Sequence, residues 1–215
     1  LDHSPLFAAM RSGKVERAIA FFLVQQGKKF DHAADIRHPE YSRMIGEFRN
    51  VAEIGIHPSY ESSANERLIG SEKLQLEKVS SRKIFTSRQH FLRWQMPDTL
   101  RALQEAGITE DHSLGFSDRP GFRAGTCTPF RWYDLEQERI SGLMLHPFAA
   151  MDSALHDHME LRPKEGAAEM IAMSNAVRSV SGTFTSVWHD RFLSGHGAWK
   201  GWPEAFQMVV TSAAP

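Results

Sequence analysis

The sequence predicts a single α/β domain with the parallel architecture of a barrel, and three observations support this prediction. Apolar runs that suit buried strands alternate with segments of helical periodicity from about residue 18 to about residue 190. Several of these runs stop at a histidine. The chain has 215 residues, of which 41% are hydrophobic and 24% charged, so it is large enough to enclose a substantial core.

Each predicted element has a local reason. Residues 14–24 end in a continuous apolar run, typical of a strand buried on both faces. Pro39 favours a helix start, Gly107 a helix end, and Pro58 ends a strand because proline cannot donate to a ladder. The predicted strands cover residues 14–24, 53–57, 87–94, 113–116, 143–146 and 182–189, and the predicted helices cover residues 39–50, 64–80, 97–107, 151–161 and 164–180.

Composition excludes several classes of partner. The formal charge of −1 gives no field that would recruit nucleic acid or anionic lipid. No apolar run approaches the roughly 18 residues of a membrane span, and residues 1–5 do not resemble a signal peptide. We therefore expect no nucleic-acid or membrane partner and a cytoplasmic location. The sequence carries no signal for an oligomeric state.

Histidines mark the ends of predicted strands, and this pattern points to a metal site. His57, His146 and His189 each stand at such an end, and His90 lies within another predicted strand. In a barrel the carboxyl ends of all strands open onto one face, so distant residues converge there. Imidazoles that meet a carboxylate suit Zn²⁺ or a similar cation. The alternative is a set of scattered histidines with structural hydrogen bonds.

Other candidate features favour structural roles. Residues 121–125 are glycine-rich but match no phosphate-binding loop, and Cys127 suits a small buried residue better than a nucleophile. Trp188 fits a sugar-stacking position and a core position equally well. The histidines in polar or loop contexts are interpreted as surface residues; they are His112, His156, His158 and His196.

Five stretches in this order resemble the motifs of a divergent bacterial branch of the polysaccharide deacetylases. They are residues 18–24 (the "ATFF" strand), 53–60 (EIGxH and GIHPSY), 88–93 (RQHxLR), 121–127 (GFRxGTC) and 188–190 (WH). The resemblance extends from about residue 15 to about residue 203. Each stretch by itself is weak, and the ordered set is the informative feature.

The resemblance implies a distorted (β/α) barrel of about seven strands. It also implies a hydrolase that removes acetyl groups from an N-acetylated or O-acetylated glycan or related sugar. Such enzymes hold a divalent metal, here expected to be zinc, with one aspartate and two histidines. A metal-bound water attacks the acetamide carbonyl, a carboxylate acts as base, and a histidine on the last strand protonates the departing amine.

The family roles transfer to individual residues of this chain. His57 matches the first metal histidine, and His189 matches the general acid, with Trp188 beside it. Arg88 matches the arginine that orients the catalytic aspartate, and Arg123 is the alternative for that role. Tyr60, Trp188 and Phe130 are the expected substrate-binding aromatics.

Two positions depart from the family pattern. The second metal histidine is expected four residues after His57, where this chain has Glu61, and we prefer His90 as the replacement ligand. The acidic first motif has Asp2 as its available residue, assigned here as metal ligand and catalytic carboxylate. No apolar strand precedes Asp2 in the given sequence, so either Asp2 is the end of that motif or the strand of the motif is absent from the sequence.

These departures leave two alternatives open. The first is a catalytically degenerate barrel that binds carbohydrate or a protein partner. The second is another metal-assisted hydrolase on a barrel, which acts on a different C–N bond.

Overall fold

The computed structural model describes residues 3–26 and 28–213. In this part of the chain the strands are β1 (Ile19–Leu23), β2 (Glu53–His57), β3 (Thr86–Ser87), β4 (Glu110–Asp111), β5 (Phe130–Asp134), β6 (Arg139–Leu145), β7 (Ala150–Met151) and β8 (Ser186–Val187). The α-helices are α1 (Ser4–Arg11), α2 (Pro39–Phe48), α3 (Arg67–Ser80), α4 (Asp98–Glu105), α5 (Pro163–Ser179) and α6 (Trp202–Ala213). The described residues divide into two compact units. The sheet unit comprises Arg17–Ser113 and Phe130–His146, and the helical unit comprises the rest.

The sheet unit is built on a six-stranded sheet in the order β1-β2-β3-β4-β6-β5. The first five of these strands are parallel, and β5 pairs antiparallel with β6 at the edge. Helices α2, α3 and α4 connect or follow the parallel strands, as the crossover rule for parallel pairs requires. The carboxyl ends of these five neighbouring parallel strands therefore lie along one edge of the sheet.

Apolar packing on the helices and strands holds this sheet in place. Its fully buried aliphatic side chains are Ile45, Ile56, Ile69, Leu76, Ile84, Leu100, Leu103 and Leu143. Gly55 is needed in β2 because a Cβ there would lie 2.5 Å from Cδ1 of Phe21 and 2.8 Å from Oγ1 of Thr86. The absence of a side chain at Gly55 lets the Phe21 ring cross this face of the sheet.

The helical unit has its own core. Strands β7 and β8 form a parallel pair. A π-helical turn over Ala154–His158 and α5 connect them in the chain, and α6 follows β8. A hydrophobic cluster fills the space between these elements and contains Ala150, Leu155, Ala167, Met170, Phe192, Trp202, Ala205 and Val209. Because Ala150 of β7 belongs to this cluster, the cluster supports the β7–β8 pair.

A mixed α/β architecture with a mainly parallel central sheet is confirmed. The expected count of about seven strands is wrong, since the described residues form eight strands in two sheets. Their ladders do not show a closed barrel. The prediction of one domain over residues 1–215 stays a prediction.

Strand β2 begins and ends at the predicted residues, and α2, α3 and α4 match their predictions closely. Several predicted strands were wrong in extent or place, and the strand predicted over residues 182–189 is only the two-residue β8. The strand predicted over residues 87–94 ends at Ser87, because Phe91 and Leu92 have positive φ angles of 54° and 53° that no strand adopts. The strand predicted over residues 113–116 is instead β4, and the hairpin strand β5 was missed.

Candidate functional site

The edge formed by the strand carboxyl ends carries a row of basic and imidazole side chains. The register pairs Ile56 with Ser87, Ser87 with Asp111, and Asp111 with Leu145. The residues that follow continue the ladder: the backbone NH of His112 donates to the carbonyl of Ser87 at 2.8 Å, and that of His146 to Asp111 at 2.8 Å.

The sheet therefore sets His57, Arg88, His112 and His146 in one row, each just past or at the end of its strand. Arg88 stands in this row between His57 and His112. Arg88 therefore separates two groups of imidazole side chains within the sheet unit.

The first group is the His57–His90 pair. The two rings lie 4.8 Å apart between centroids at an interplanar angle of 61°. Nδ1 of His57 donates to the backbone carbonyl of Arg88 at 2.5 Å, and Nδ1 of His90 donates to Oδ1 of Asp31 at 2.9 Å. Since a neutral imidazole carries one proton, Nε2 is the nitrogen with the lone pair in both rings.

Asp31 supports this pair from a fully buried position. Its Oδ1 also accepts the backbone NH of Tyr60 at 2.9 Å, which ties the turn after β2 to His90. Its Oδ2 is buried without a hydrogen-bond partner in the described residues. On the other side of the same turn, Glu72 accepts the backbone NH of Ser59 at 2.8 Å, and burial raises the pKa of Glu72.

Glu61, the alternative to His90 as a metal ligand, forms an ion pair at the surface. Its carboxylate lies 3.4 Å from Nζ of Lys28 at the surface. The His90 ring, in contrast, packs against His57. This geometry favours His90 over Glu61 as the companion of His57.

An aromatic cluster adjoins the His57–His90 pair. The Tyr60 ring lies 4.3 Å from Phe30 and 5.6 Å from Phe91, and the Arg93 guanidinium stands 4.1 Å above it. Phe91 is 58% exposed and its ring is 4.6 Å from His90. Exposed aromatic faces beside the imidazoles are suited to stacking on a sugar ring.

The second group of imidazoles comprises Glu110, His112 and His146. One ligand atom from each lies within 4.8 Å of the others, and no other trio of His, Cys, Asp or Glu in the described ranges meets this criterion. Glu110 lies in β4 and His112 directly follows it, and the two side chains lie on one face of the sheet because they are two residues apart. The His112 and His146 rings stack at 4.4 Å and 19°, as their neighbouring positions in the row dictate.

The electrostatics of this group are set by burial and by Arg17. Nη1 of Arg17 donates to Oε2 of Glu110 at 2.6 Å, while its Nη2 and Nε bind Glu53. The nearby imidazole of His112, followed by Arg17, lowers the pKa of Glu110 to about 2. Burial lowers the pKa of His112 to about 4 and also lowers that of His146. At neutral pH the group is thus a carboxylate with two neutral imidazoles.

The helical unit holds the predicted general acid, His189. Its backbone NH donates to Oδ2 of Asp152 at 2.6 Å, and its Nδ1 to Oδ1 at 2.6 Å. Asp152 is fully buried, and the His189 side chain is 31% exposed. This two-point hold fixes the ring and leaves Nε2 as the nitrogen that exchanges a proton.

The remaining predicted residues lie in varied surroundings. Trp188 packs on Phe206 at 5.2 Å and on Trp202 at 6.3 Å, so it contributes to the core of the helical unit. Arg123 is exposed in a loop of that unit, and Phe130 is exposed at the start of β5. Arg88 stands 4.9 Å above the Phe21 ring. Asp2 lies outside the described residues.

Sequence reasoning missed four residues of these groups, and the predicted elements explain why. His112 is 7% exposed rather than a surface residue, and Glu110 was not considered, because the strand was predicted three residues too late. Asp152 was hidden by a predicted helix over residues 151–161, where β7 in fact ends just before it. Asp31 lies in a loop and carries no local signal.

Comparison with known proteins supports the fold. No family model and no curated protein sequence matches the chain. A crystal structure from Mycobacterium smegmatis, provisionally named a polysaccharide deacetylase, is similar at a TM-score of 0.68 and 16% identity. The similarity covers 96% of this chain and 69% of that one. The chain therefore shares the fold of that protein.

A second structure, from Bordetella bronchiseptica, is provisionally named a polysaccharide deacetylase involved in O-antigen biosynthesis. It matches at a TM-score of 0.41 and 12% identity, over 71% of this chain and 54% of that one.

Among the helices of the described residues, none combines the length and the apolar character that a membrane span requires.

Proposed function

We propose that this protein is a metal-dependent hydrolase that removes acetyl groups from an N-acetylated or O-acetylated glycan or a related sugar. In this proposal His57 and His90 are metal ligands, and His189 is the general acid. Asp2 is the proposed carboxylate ligand, and Arg88 or Arg123 orients a carboxylate. The fold shared with the Mycobacterium smegmatis protein is consistent with the proposal.

The observation that carries the proposal is the hydrogen bonding of the two imidazoles. Metal-binding histidines almost always donate their other ring NH to a carboxylate or backbone carbonyl, which fixes the tautomer and the ring orientation. His57 donates to a carbonyl and His90 to Asp31, so both Nε2 atoms carry lone pairs. Two such nitrogens with a carboxylate oxygen form a donor set that suits Zn²⁺. A bound divalent cation would polarise the acyl carbonyl and lower the pKa of water.

We propose that His189 is the general acid, which donates a proton to the leaving group. Asp152 holds its Nδ1 proton and stabilises the imidazolium that a general acid must form. In the proposed reaction, Nε2 of His189 gives its proton to the departing sugar amine. Because Asp152 is fully buried, its charge acts on the ring with little screening by solvent.

Substrate recognition is assigned to aromatic side chains. Tyr60 and the exposed Phe91 beside His90 supply flat faces for a pyranose ring. Phe130 and Trp188 remain proposed contacts, although the packing of Trp188 on Phe206 favours a supporting role. The substrate class is therefore proposed to be carbohydrate.

The proposal is tested by acetate release from N-acetylglucosamine oligomers and from an O-acetylated sugar, with and without zinc. We expect zinc-dependent release, and we expect His189→Ala to lower kcat by about 10²- to 10⁴-fold, as loss of a general acid does. Metal content, measured by elemental analysis, should stay unchanged in His189→Ala. His57→Ala should lose the metal bound by the pair.

His158→Gln is the matched control, since His158 is exposed in the same unit as His189 and has no proposed role. Its turnover should equal that of the wild type. Equal metal content in the wild type and in His57→Ala would overturn the ligand assignment. Zinc-dependent release from simple amides but not from sugars would instead favour a different C–N hydrolase.

Carbohydrate binding without turnover is the second candidate function. The aromatic cluster of Phe30, Tyr60 and Phe91 favours it, because such a surface binds sugars whether or not a reaction follows. Under this reading, oligosaccharide affinity would fall in Tyr60→Ala and stay constant in His57→Ala.

A further inference from the structure

The trio of Glu110, His112 and His146 lies apart from the residues of the proposed reaction. It occupies β4 and the end of β6, whereas His57 ends β2, and β3 with Arg88 lies between them in the sheet. Two of its members are adjacent in the row and stack at 4.4 Å. The sheet register itself therefore holds the trio together.

One ring nitrogen of each histidine in this trio is buried without a hydrogen bond. Nε2 of His112 and Nε2 of His146 are both buried and have no hydrogen-bond partner in the described residues. They lie 3.5 Å and 3.4 Å from the same oxygen, Oε2 of Glu110. Leaving a buried polar atom unpaired costs about 1–3 kcal/mol, so two such atoms aimed at one carboxylate indicate a missing partner.

The charges around the trio favour a cation as that partner. Arg17 is the one guanidinium ion-paired with both Glu53 and Glu110, so the described ion pairs leave one negative charge unbalanced. The hydrogen bond from Arg17 leaves other lone pairs of the Glu110 carboxylate available, because a carboxylate offers about four lone-pair positions. Two imidazole nitrogens with one glutamate oxygen are also the His₂Glu set that zinc uses in open sites.

We infer that Glu110, His112 and His146 form a second divalent-cation site, of the zinc class, that is separate from the His57–His90 pair. The cation accepts both buried Nε2 lone pairs and one oxygen of Glu110. Since it joins β4 to β6, it stabilises the parallel part of the sheet. This inference does not depend on the deacetylation proposed above.

The test is a zinc titration of the full chain, followed by cobalt(II) substitution and visible absorption. The wild type should bind two equivalents of zinc, and His146→Gln and Glu110→Gln should each bind one. His57→Ala should also bind one, and the double variant His57→Ala/His146→Gln none. Zinc should raise the Tm of His57→Ala but not that of the double variant.

The variants are chosen to keep the fold intact. Glu110→Gln is nearly isosteric, and His146 is partly exposed, so neither change opens a cavity in the core. Circular dichroism of each variant verifies folding before titration, and His158→Gln controls for binding by a surface histidine. If His146→Gln and Glu110→Gln both bind as much zinc as the wild type, with the same cobalt spectrum, the inference is overturned. That result would leave the His57 test of the deacetylase proposal unaffected.

Discussion

The His57–His90 pair and the Glu110–His112–His146 trio lie in the same sheet unit but are positioned by different forces. In the pair, each ring is oriented by a hydrogen bond from Nδ1, to the Arg88 carbonyl and to Asp31. In the trio, strand register and ring stacking set the positions, and both Nε2 atoms stay without hydrogen bonds.

The difference shows two ways in which a sheet edge can prepare imidazoles for a ligand. Hydrogen bonds fix the tautomer and aim of each ring, so the pair is oriented before any ligand arrives. Register brings the trio together but leaves its polar atoms unpaired, so the trio stores an unfavourable burial energy that a cation would relieve. We therefore expect the pair to respond to changes in supporting residues and the trio to respond to pH.

The largest expected effect comes from the support of the pair. Asp31→Asn keeps an oxygen for His90 Nδ1 and for the Tyr60 NH but removes the charge. We expect zinc affinity at the pair to fall by about 10- to 100-fold, as for other residues that orient metal ligands. The measurement is a competition titration with a chelator in a His146→Gln background, where the trio is disabled.

Asp35→Asn is the matched control, because the carboxylate of Asp35 pairs with Arg37 and with neither group of imidazoles. Its zinc affinity should equal that of the background protein. Unchanged affinity in Asp31→Asn would show that the Asp31 hydrogen bond does not prepare the pair for metal.

The next effect is the pH dependence of the metal-free protein. A histidine in the unfolded chain has a pKa near 6.5, whereas burial lowers the pKa of His112 to about 4. Between these values the unfolded state binds more protons, so stability falls as the pH falls. From pH 6.5 to pH 5 the contribution of His112 to the free energy of unfolding should decrease by about 1.6 kcal/mol.

Urea unfolding at both pH values, with a chelator present, measures this decrease. In His112→Gln the fall in stability should be smaller by about that amount, and in His158→Gln it should match the wild type. Identical pH dependence in the wild type and His112→Gln would mean that the trio does not carry a buried neutral imidazole.

The smallest effect concerns the aromatic cluster beside the pair. Tyr60→Leu removes the ring that lies between Phe30, Phe91 and Arg93. If sugars stack there, KM for deacetylation should rise by roughly two- to tenfold, because one aromatic contact contributes about 0.5–1.5 kcal/mol. Steady-state kinetics should show kcat little changed, and Tyr133→Leu, at an exposed position on β5, should leave KM as in the wild type. A fall in kcat with KM constant would contradict a binding role for Tyr60.

Much of the sheet unit was predictable from local pattern. Strand β2 was predicted residue for residue, because alternating buried Ile54 and Ile56 end at Pro58, which cannot continue the ladder. The short strands were less predictable: β3 and β4 have two residues each, too few to show a periodicity. Because these strands were predicted at the wrong residues, Glu110 and His112 were not recognised as candidate site residues.

The sequence by itself determined the α/β class, the main parallel strand β2 with its terminal histidine, and the candidate histidines His57, His90, His146 and His189. These features depend on periodicity and on the chemistry of single residues, which neighbouring residues reveal. Only the tertiary structure decided that Asp31 holds His90, that Asp152 holds His189, and that His112 stacks on His146. Those contacts join residues 34 to 59 positions apart, and the register of paired strands and the packing of loops bring them together, which no local pattern encodes.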